Sequence, residues 1–340
     1  MDLRSFSPFL VTGGLGFIGS NLVRRLNKLG SEDIVILDRP QSDGKWRNAS
    51  GLRCDYLDAD LILPPSEVAA PVQESGFARA LEKLDSELPR FKTMFHLGAC
   101  SNTQERDATY LFRNNFCFSA LLFELARRRR ARFVYASSAA TYGDGSLGFV
   151  EGRELELRPL NAYAWSKQIF DEYLIRRNQA NSCAGIKYFN VYGPNEGAKG
   201  SMGSMVYRGL RQLKEEGSIR IFKGTMEMSR DFIHVDDAVT ATLWLAFDAR
   251  TAGGLYNVGS GIGTTWRQLA EAVCDASKTF LGVAKPRIVE VEPPAGLMDH
   301  YQALTVANID KLRGTGFPLQ PRDIATGARD VASIISRDGF

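Results

Sequence analysis

Residues 8–19 read PFLVTGGLGFIG, a short apolar run that breaks into four glycines, Gly13, Gly14, Gly16 and Gly19. The run has the length of a buried strand, and the residues behind it (SNLVRRLNKLG, 20–30) carry apolar side chains at helical spacing. The glycines therefore stand at a strand-to-helix turn. Such a turn lets backbone N–H groups approach a phosphate, and the helix N-terminus adds unpaired donors and the positive end of its dipole. The spacing Gly13-x-x-Gly16-x-x-Gly19 differs from the common G-x-G-x-x-G, so its weight comes from this placement. A second strand, IVILD (34–38), ends on Asp38, 19 residues after Gly19, where an acid can hold the hydroxyls of an adenosine ribose. Arg39 and Lys45 follow, and cations there suit a ribose 2′-phosphate. The expected cofactor is NADP, with NAD the alternative that Asp38 itself favours.

Further along, TMFHLGA (93–99), a helical stretch ending at Arg130, and RFVYASS (132–138) continue the alternation of strand and helix. This periodicity predicts an α/β fold, a Rossmann-type doubly wound parallel sheet. Residues 61–92, with Pro64, Pro65, Pro71 and Pro89 around a possible helix FARALEKLDSEL, read as a connection. From about residue 190 the pattern loosens into the turn-rich VYGPNEGAKGSMGS; a strand-like RDFIHVDD (230–237) and a helical AVTATLWLAFDA then return. A helix near 265–280, a strand near 287–292 and a final helix complete the chain. The expected division is a cofactor-binding domain of 1–190 and 226–250, with a smaller, discontinuous α/β substrate domain of 191–225 and 251–340.

Composition narrows the class. The 340 residues are 44% hydrophobic and 24% charged, an ordinary globular balance, and a net charge of +3 is too mild for a dedicated nucleic-acid binder. The cations Arg127 to Arg130 follow an apolar helical run and read as helix-end charges. Five scattered cysteines without a CxxC, and no apolar stretch near the length of a membrane span, lead us to expect a cytoplasmic protein with free thiols. The three histidines lie far apart, and no metal site is expected.

In NAYAWSKQIFDEYL (161–174), Tyr163 and Lys167 stand four apart and share one helix face. A nearby ammonium and a cationic nicotinamide would stabilise the phenolate and lower the tyrosine pKa toward the range useful for acid/base work. Upstream, Ser137 and Ser138 lie at the carboxyl end of a strand, where open α/β sheets bind ligands.

The order TGGLGFIG, FHLGA, SSAATYG, YAWSK, YFNVYGP and RDFIHVDD resembles the extended short-chain dehydrogenase/reductase superfamily over almost the whole chain. The resemblance implies a catalytic Ser138, Tyr163 and Lys167. Where dehydratases of that superfamily carry an acidic pair after the catalytic serine or threonine, this chain has Ala139 and Ala140, which disfavours dehydration. The segments YFNVYGPNEGAKGSM and HYQALTVANIDKLRGTGF, with FHLGACSNT and ASSAATYG, are similar to the branch that epimerises ADP-activated heptoses at C6 for lipopolysaccharide. That likeness makes Lys199 a second catalytic acid/base. It places Gly13, Gly16, Phe17, Ile18, Gly19, Asp38, Arg39, Lys45, Leu97, Gly98, Ala99, Cys100, Ser101, Asn114, Lys167 and Val191 near NADP. For the ADP-sugar it nominates Asn190, Ser201, Arg208, Phe222, Lys223, Gly224, Thr225, Arg230 and Tyr301. Leu97 stands where the family has glutamate, and Arg208 where it has histidine. The family also implies a homo-oligomer. Another nucleotide-sugar epimerase or reductase of the superfamily, such as a UDP- or GDP-hexose 4-epimerase, is the alternative.

Overall fold

The apolar run that opens the chain folds as a strand, Phe9–Thr12, buried at all four positions. The structure, a computed structural model, describes residues 3–40, 43–248, 253–294, 302–318 and 320–340. In chain order its strands are β1 Phe9–Thr12, β2 Ile34–Asp38, β3 Asp55–Asp58, β4 Thr93–His96, β5 Arg132–Ser138, β6 Ala184–Tyr188 and β7 Asn190–Tyr192. They continue as β8 Ser218–Phe222, β9 Ser229–His234, β10 Gly254–Val258, β11 Gly263–Thr265, β12 Arg287–Val291 and β13 Leu304–Thr305.

A seven-stranded sheet runs in the order β10-β6-β5-β4-β1-β2-β3, parallel from β3 through to β5. The chain lays β2 and β3 on one side of β1 and then returns to lay β4, β5 and β6 on the other. The order reverses between β1 and β4, and at such a point the loops leaving the two strands diverge and open a crevice at their carboxyl ends. Both strands are buried along their full length, which is why they read as continuous apolar runs.

The described residues fall into two compact units. The first comprises 1–143, 151–187 and 242–256; the second comprises 144–150, 188–241 and 257–340. These units differ from the expected domains at 144–150, 188–190 and 226–241, which group with the second unit, and at 253–256, which group with the first. The strand-like RDFIHVDD also ends earlier than its apolar pattern suggests. β9 stops at His234, and a helix Val235–Phe247 begins with Asp236 and Asp237 in its first turn, where carboxylates meet the positive end of the dipole.

In the first unit, the helix Phe118–Arg128 buries Phe118, Leu121, Leu122 and Leu125, one stripe at helical spacing, in a core with Leu10, Met94 and Phe133 of the strands. The connection 61–92 contains a helix Glu74–Glu87 whose Leu84 joins the same core. Arg129, just past the helix Phe118–Arg128, reaches Asp85 at 2.7 Å and the carbonyl of Pro89 at 2.7 Å. The Arg129 bond, with Arg128 beside it, holds the Asp85 carboxyl below its usual range, and the arginine run serves as a helix-end clamp.

In the second unit, the helices Met205–Glu216, Trp266–Phe280 and Ile324–Asp338 share a core of Leu210, Leu213, Leu269, Val273, Val331 and Ile335 with Ile219 of β8. β8 pairs with β12 in parallel, while β7, β11 and β13 all pair with β9. The buried Asp231 of β9 binds the segments that pass it. Its carboxylate accepts from Ser260 N at 2.6 Å, Ser260 Oγ at 2.7 Å, Gly261 N at 2.9 Å and Ala307 N at 3.0 Å.

Candidate functional site

The glycine turn lies where β1 and β4 separate. Gly13 has φ +69°, and a Cβ there would stand 2.6 Å from Gly98 Cα; a Cβ on Gly19 would stand 2.2 Å from the carbonyl oxygen of Gly13. Both positions require glycine, the first for its backbone conformation and both for close approach. The helix Phe17–Lys28 begins at Gly16 without a side-chain cap, which leaves its first turn turned toward an anionic ligand rather than closed by a serine or aspartate. A cradle that side chains would fill, at the N-terminus of a twelve-residue helix, fits a dinucleotide pyrophosphate.

Asp38 closes one end of this crevice. Its carboxylate accepts from Leu15 N at 2.9 Å and Arg39 N at 2.7 Å, and Lys45 pairs with it at 3.0 Å. Arg39 donates to Asp60 and to Asn114 Oδ1 and lies 5.3 Å over the Phe118 ring. The two expected cations each already face a carboxylate, Arg39 that of Asp60 and Lys45 that of Asp38.

At the other side of the turn a relay fixes the Leu97–Ser101 loop. Ser119 Oγ donates to the Asn115 carbonyl, so His96 Nε2–H donates to Ser119 Oγ at 2.7 Å; Thr12 Oγ1 then donates to His96 Nδ1 at 2.7 Å and accepts from Gly98 N at 3.1 Å. The relay needs a neutral imidazole, and burial pulls the His96 pKa down to about 3, with the Lys167 charge acting in the same direction. Asn114 and Asn115 sit on a π-helical turn, Phe112–Cys117. Asn115, fully buried, accepts from Cys100 N at 2.9 Å and donates to the Cys100 carbonyl at 3.0 Å and to Ser166 Oγ at 2.9 Å. It ties the Leu97–Ser101 loop to the helix that carries the candidate acid/base.

That helix, Ala162–Arg176, starts at Asn161, whose side chain caps Ala164 N at 2.8 Å. The cap fixes the register that turns Tyr163 and Lys167 onto its buried face. Lys167 Nζ donates to the Ala136 carbonyl at 2.8 Å, and burial lowers its pKa to about 8. Tyr163 hydrogen-bonds Ser138, and Ser138 Oγ also accepts from Ala140 N at 3.1 Å. The expected lowering of the tyrosine pKa is not produced by the chain's own residues. Burial raises it, and the bond from Ser138 only works against that rise. The structure therefore brings Ser138, Tyr163 and Lys167 together with the glycine cradle in one unit.

The remaining expected residues belong to the second unit. Lys199 lies on a 3₁₀ stretch, Gly197–Met202, with its Nζ 3.5 Å from the buried Glu196 carboxylate. Glu196 also accepts from Gly193 N at 3.0 Å, Ser204 N at 2.6 Å and Ser204 Oγ at 2.6 Å. Ser201 and Arg208 line one cavity of about 280 Å³ together with Gly197, Gly200, Tyr207 and Arg211. Asn190 Nδ2 donates to the Asp231 carbonyl at 2.8 Å, Val191 follows it in β7, and Arg230 lies 6.0 Å over the Trp266 ring. Phe222, Lys223, Gly224 and Thr225 form the turn after β8. There the Thr225 hydroxyl is buried and bonded to the Phe222 carbonyl at 2.8 Å, and Lys223 pairs with Glu292 at 3.1 Å on the surface. Tyr301 lies outside the described residues.

The sequence reading did not single out Asn115, Asp171, Lys187, Glu196 or Asp231. Only two of these carried a local signal: Asp171 continues the four-residue spacing of Tyr163 and Lys167, and Glu196 precedes Lys199 by one helical turn.

Residues 9–259 match the family model described as NAD dependent epimerase/dehydratase family. The chain is 39% identical to the ADP-L-glycero-D-manno-heptose-6-epimerase of Nitratidesulfovibrio vulgaris over 95% of its own length and 96% of that protein. Against the protein of the same name from Alkalilimnicola ehrlichii it is 40% identical, covering 96% and 97% of the two chains. Among solved structures, the Helicobacter pylori ADP-L-glycero-D-manno-heptose-6-epimerase superposes with a TM-score of 0.77 at 25% identity, covering 95% of this chain and 94% of that one. With a matching model over most of its length and relatives this similar from end to end, the chain belongs to the NAD dependent epimerase/dehydratase family.

Proposed function

We infer that this chain interconverts ADP-D-glycero-D-manno-heptose and ADP-L-glycero-D-manno-heptose by inverting C6. The observation that carries the reading is the near full-length likeness to relatives of that name in a chain that keeps both Tyr163 and Lys199. A secondary carbinol C–H with no neighbouring carbonyl is too weak an acid for a side chain to deprotonate, so inversion must pass through a 6-keto sugar. A nicotinamide held at the glycine cradle would supply the reversible hydride chemistry this needs, so that no external reductant is consumed. The chain's residues handle the rest. One of Tyr163 and Lys199 removes the C6 hydroxyl proton, and the other returns a proton to the oxygen once the carbonyl has turned its opposite face. Ser138 hydrogen-bonds that oxygen, and Lys167 holds the cofactor ribose.

NADP is the cofactor of this reading. Lys45 offsets the charge of Asp38, and Arg39 stands beside it, so the ribose end carries cations that a 2′-phosphate would use. Asn190, Ser201, Arg208, Phe222 to Thr225, Arg230 and Tyr301 form the ADP-sugar site of the reading. A cytoplasmic homo-oligomer is part of it and is checked by light scattering and cell fractionation.

The deciding experiment incubates the purified protein with ADP-D-glycero-D-manno-heptose and follows the C6 configuration by NMR without added reductant. Appearance of the L-glycero isomer supports the reading. Stoichiometric consumption of NADPH with a keto-sugar nucleotide, or turnover of UDP-hexoses alone, overturns it.

A further inference from the structure

The helix face that carries Tyr163 and Lys167 continues one turn further to Asp171, and there it meets a second buried charge. Asp171 and Lys187 of β6 are both fully buried, with Lys187 Nζ 3.6 Å from Asp171 Oδ2. Lys187 also donates to Thr141 Oγ1 at 2.8 Å and lies 4.6 Å over the Tyr142 ring. Thr141 Oγ1 in turn donates to the Ser138 carbonyl at 2.8 Å. On its other side, Asp171 accepts from Tyr135 OH at 2.9 Å and from Ser137 Oγ at 2.6 Å. With Lys167 bonded to the Ala136 carbonyl, each residue from Tyr135 to Ser138 is fixed by a hydrogen bond to Asp171, to Lys167, or to the Thr141 hydroxyl that Lys187 holds.

We propose that Asp171 and Lys187 are positioning residues for the acid/base cluster, setting the end of β5, and with it Ser138, against the helix face that presents Tyr163 and Lys167. The inference rests on the reading of those three residues as catalytic and adds to it what holds them.

The physical case is one of direction. Removing an ammonium and a carboxylate from water is costly, and apolar side chains of similar volume would fill the same space at no such cost. Packing alone does not call for the pair. What the pair adds is orientation: a buried carboxylate selects the rotamers of the Tyr135 and Ser137 hydroxyls, and a buried ammonium that of Thr141. The charges that face them come from several elements. Asp171 sees Lys187 and Cys183 at β6, Tyr135 on β5, Glu154 in the segment before the helix, and Lys167 on its own helix. Lys167 sees Asp171, Cys100 and His96, and the Asp171 charge acts against the burial that lowers its pKa.

The test measures steady-state interconversion and its pH profile for the cofactor-loaded protein and for D171N, K187M, K187R and S137A, with Y163F as control and thermal unfolding as the check on folding. Positioning predicts that folded D171N and K187M lose about tenfold to a hundredfold in kcat with KM nearly unchanged, as expected when reacting groups are displaced rather than removed. K187R, which keeps a cation in reach of the same oxygens, recovers most of the loss. In D171N the alkaline limb moves to lower pH, because Lys167 loses the charge that supports its protonation. A role confined to stability would lower the unfolding temperature and leave kcat per folded molecule and the alkaline limb in place, and that result overturns the proposal. Should the charge variants fail to fold, S137A decides: positioning predicts a several-fold fall in kcat, and a wild-type kcat overturns it. An inactive Y163F beside an unaltered D171N refutes the positioning alone. A fully active Y163F refutes the underlying acid/base assignment and the inference with it.

Discussion

Tyr163 and Lys199, the two groups read as acid/bases, are held in opposite ways. Tyr163 is 9% exposed, on a fifteen-residue helix whose buried face is bonded to β5, to the π-helical turn and to β6. Lys199 has a side chain 27% exposed, on a six-residue 3₁₀ stretch interrupted at Gly200, where φ is 52° and ψ is −125°. Around Tyr163 the holding bonds are many and distributed. Around Lys199 the buried Glu196 carboxylate takes the ammonium and two backbone N–H groups of the turn, those of Gly193 and Ser204. One group is set by a long helix bonded to its neighbours and the other by a short turn gathered on a carboxylate, so the variants below ask whether each setting is needed.

The largest effects test whether both groups are needed at all. Tyr163→Phe and Lys199→Met should each reduce interconversion by about 10²- to 10⁴-fold without unfolding the chain. A wild-type rate in either variant removes that residue from the comparison. Next, Glu196→Gln keeps the size of the anchor and removes its charge. We expect about a tenfold to hundredfold fall in kcat and a lowered unfolding temperature, measured by the NMR assay and by a thermal melt. Unchanged kcat there would mean that the turn seats Lys199 without its carboxylate.

A smaller effect concerns the relay behind the cofactor loop. His96 has a folded pKa near 3, below its ordinary 6.5, so protons bind the unfolded chain more readily. The stability this group contributes is fully present above pH 6.5 and is lost as pH falls toward 3, by up to about 1.4 kcal/mol per pH unit. Urea unfolding at pH 7 and pH 5 should show that slope in the wild type and a shallower one in His96→Gln; equal slopes would place the acid sensitivity elsewhere. The smallest effect is expected at Lys223, whose pairing with Glu292 is solvent-exposed. Lys223→Ala should change stability by less than about 1 kcal/mol. A raised KM for the ADP-sugar at unchanged kcat would assign its ammonium to the substrate, and an unchanged KM would assign it to the surface.

Legibility in the sequence followed chain distance. The Gly13–Gly19 turn, the strand ending at Asp38 and the Tyr163–Lys167 face all lie within short windows whose periodicity reports local geometry, and each appears in the structure where the pattern places it. The edge strand β3 was missed because DYLD is polar, with two exposed and two half-buried residues. The compact units differ from the expected domains for a different reason: an apolar run shows that a strand is buried without showing which sheet buries it, and β9 joins β7, β11 and β13 rather than the seven-stranded sheet.

By itself, the sequence determined the alternation of elements, the glycine turn and the placing of Tyr163 and Lys167 on one helix face. These depend on backbone periodicity and on the steric freedom of glycine, which neighbouring residues settle. Tertiary structure decided which charges and polar groups were buried and what they hold. Asp171 and Lys187 are 16 positions apart, Thr12 and His96 are 84 apart, and Asp231 and Ala307 are 76 apart. A buried charge keeps its place only when a partner from another element arrives to satisfy it. No local pattern records that arrival, so the supports of the site became visible only once the strands and helices were packed.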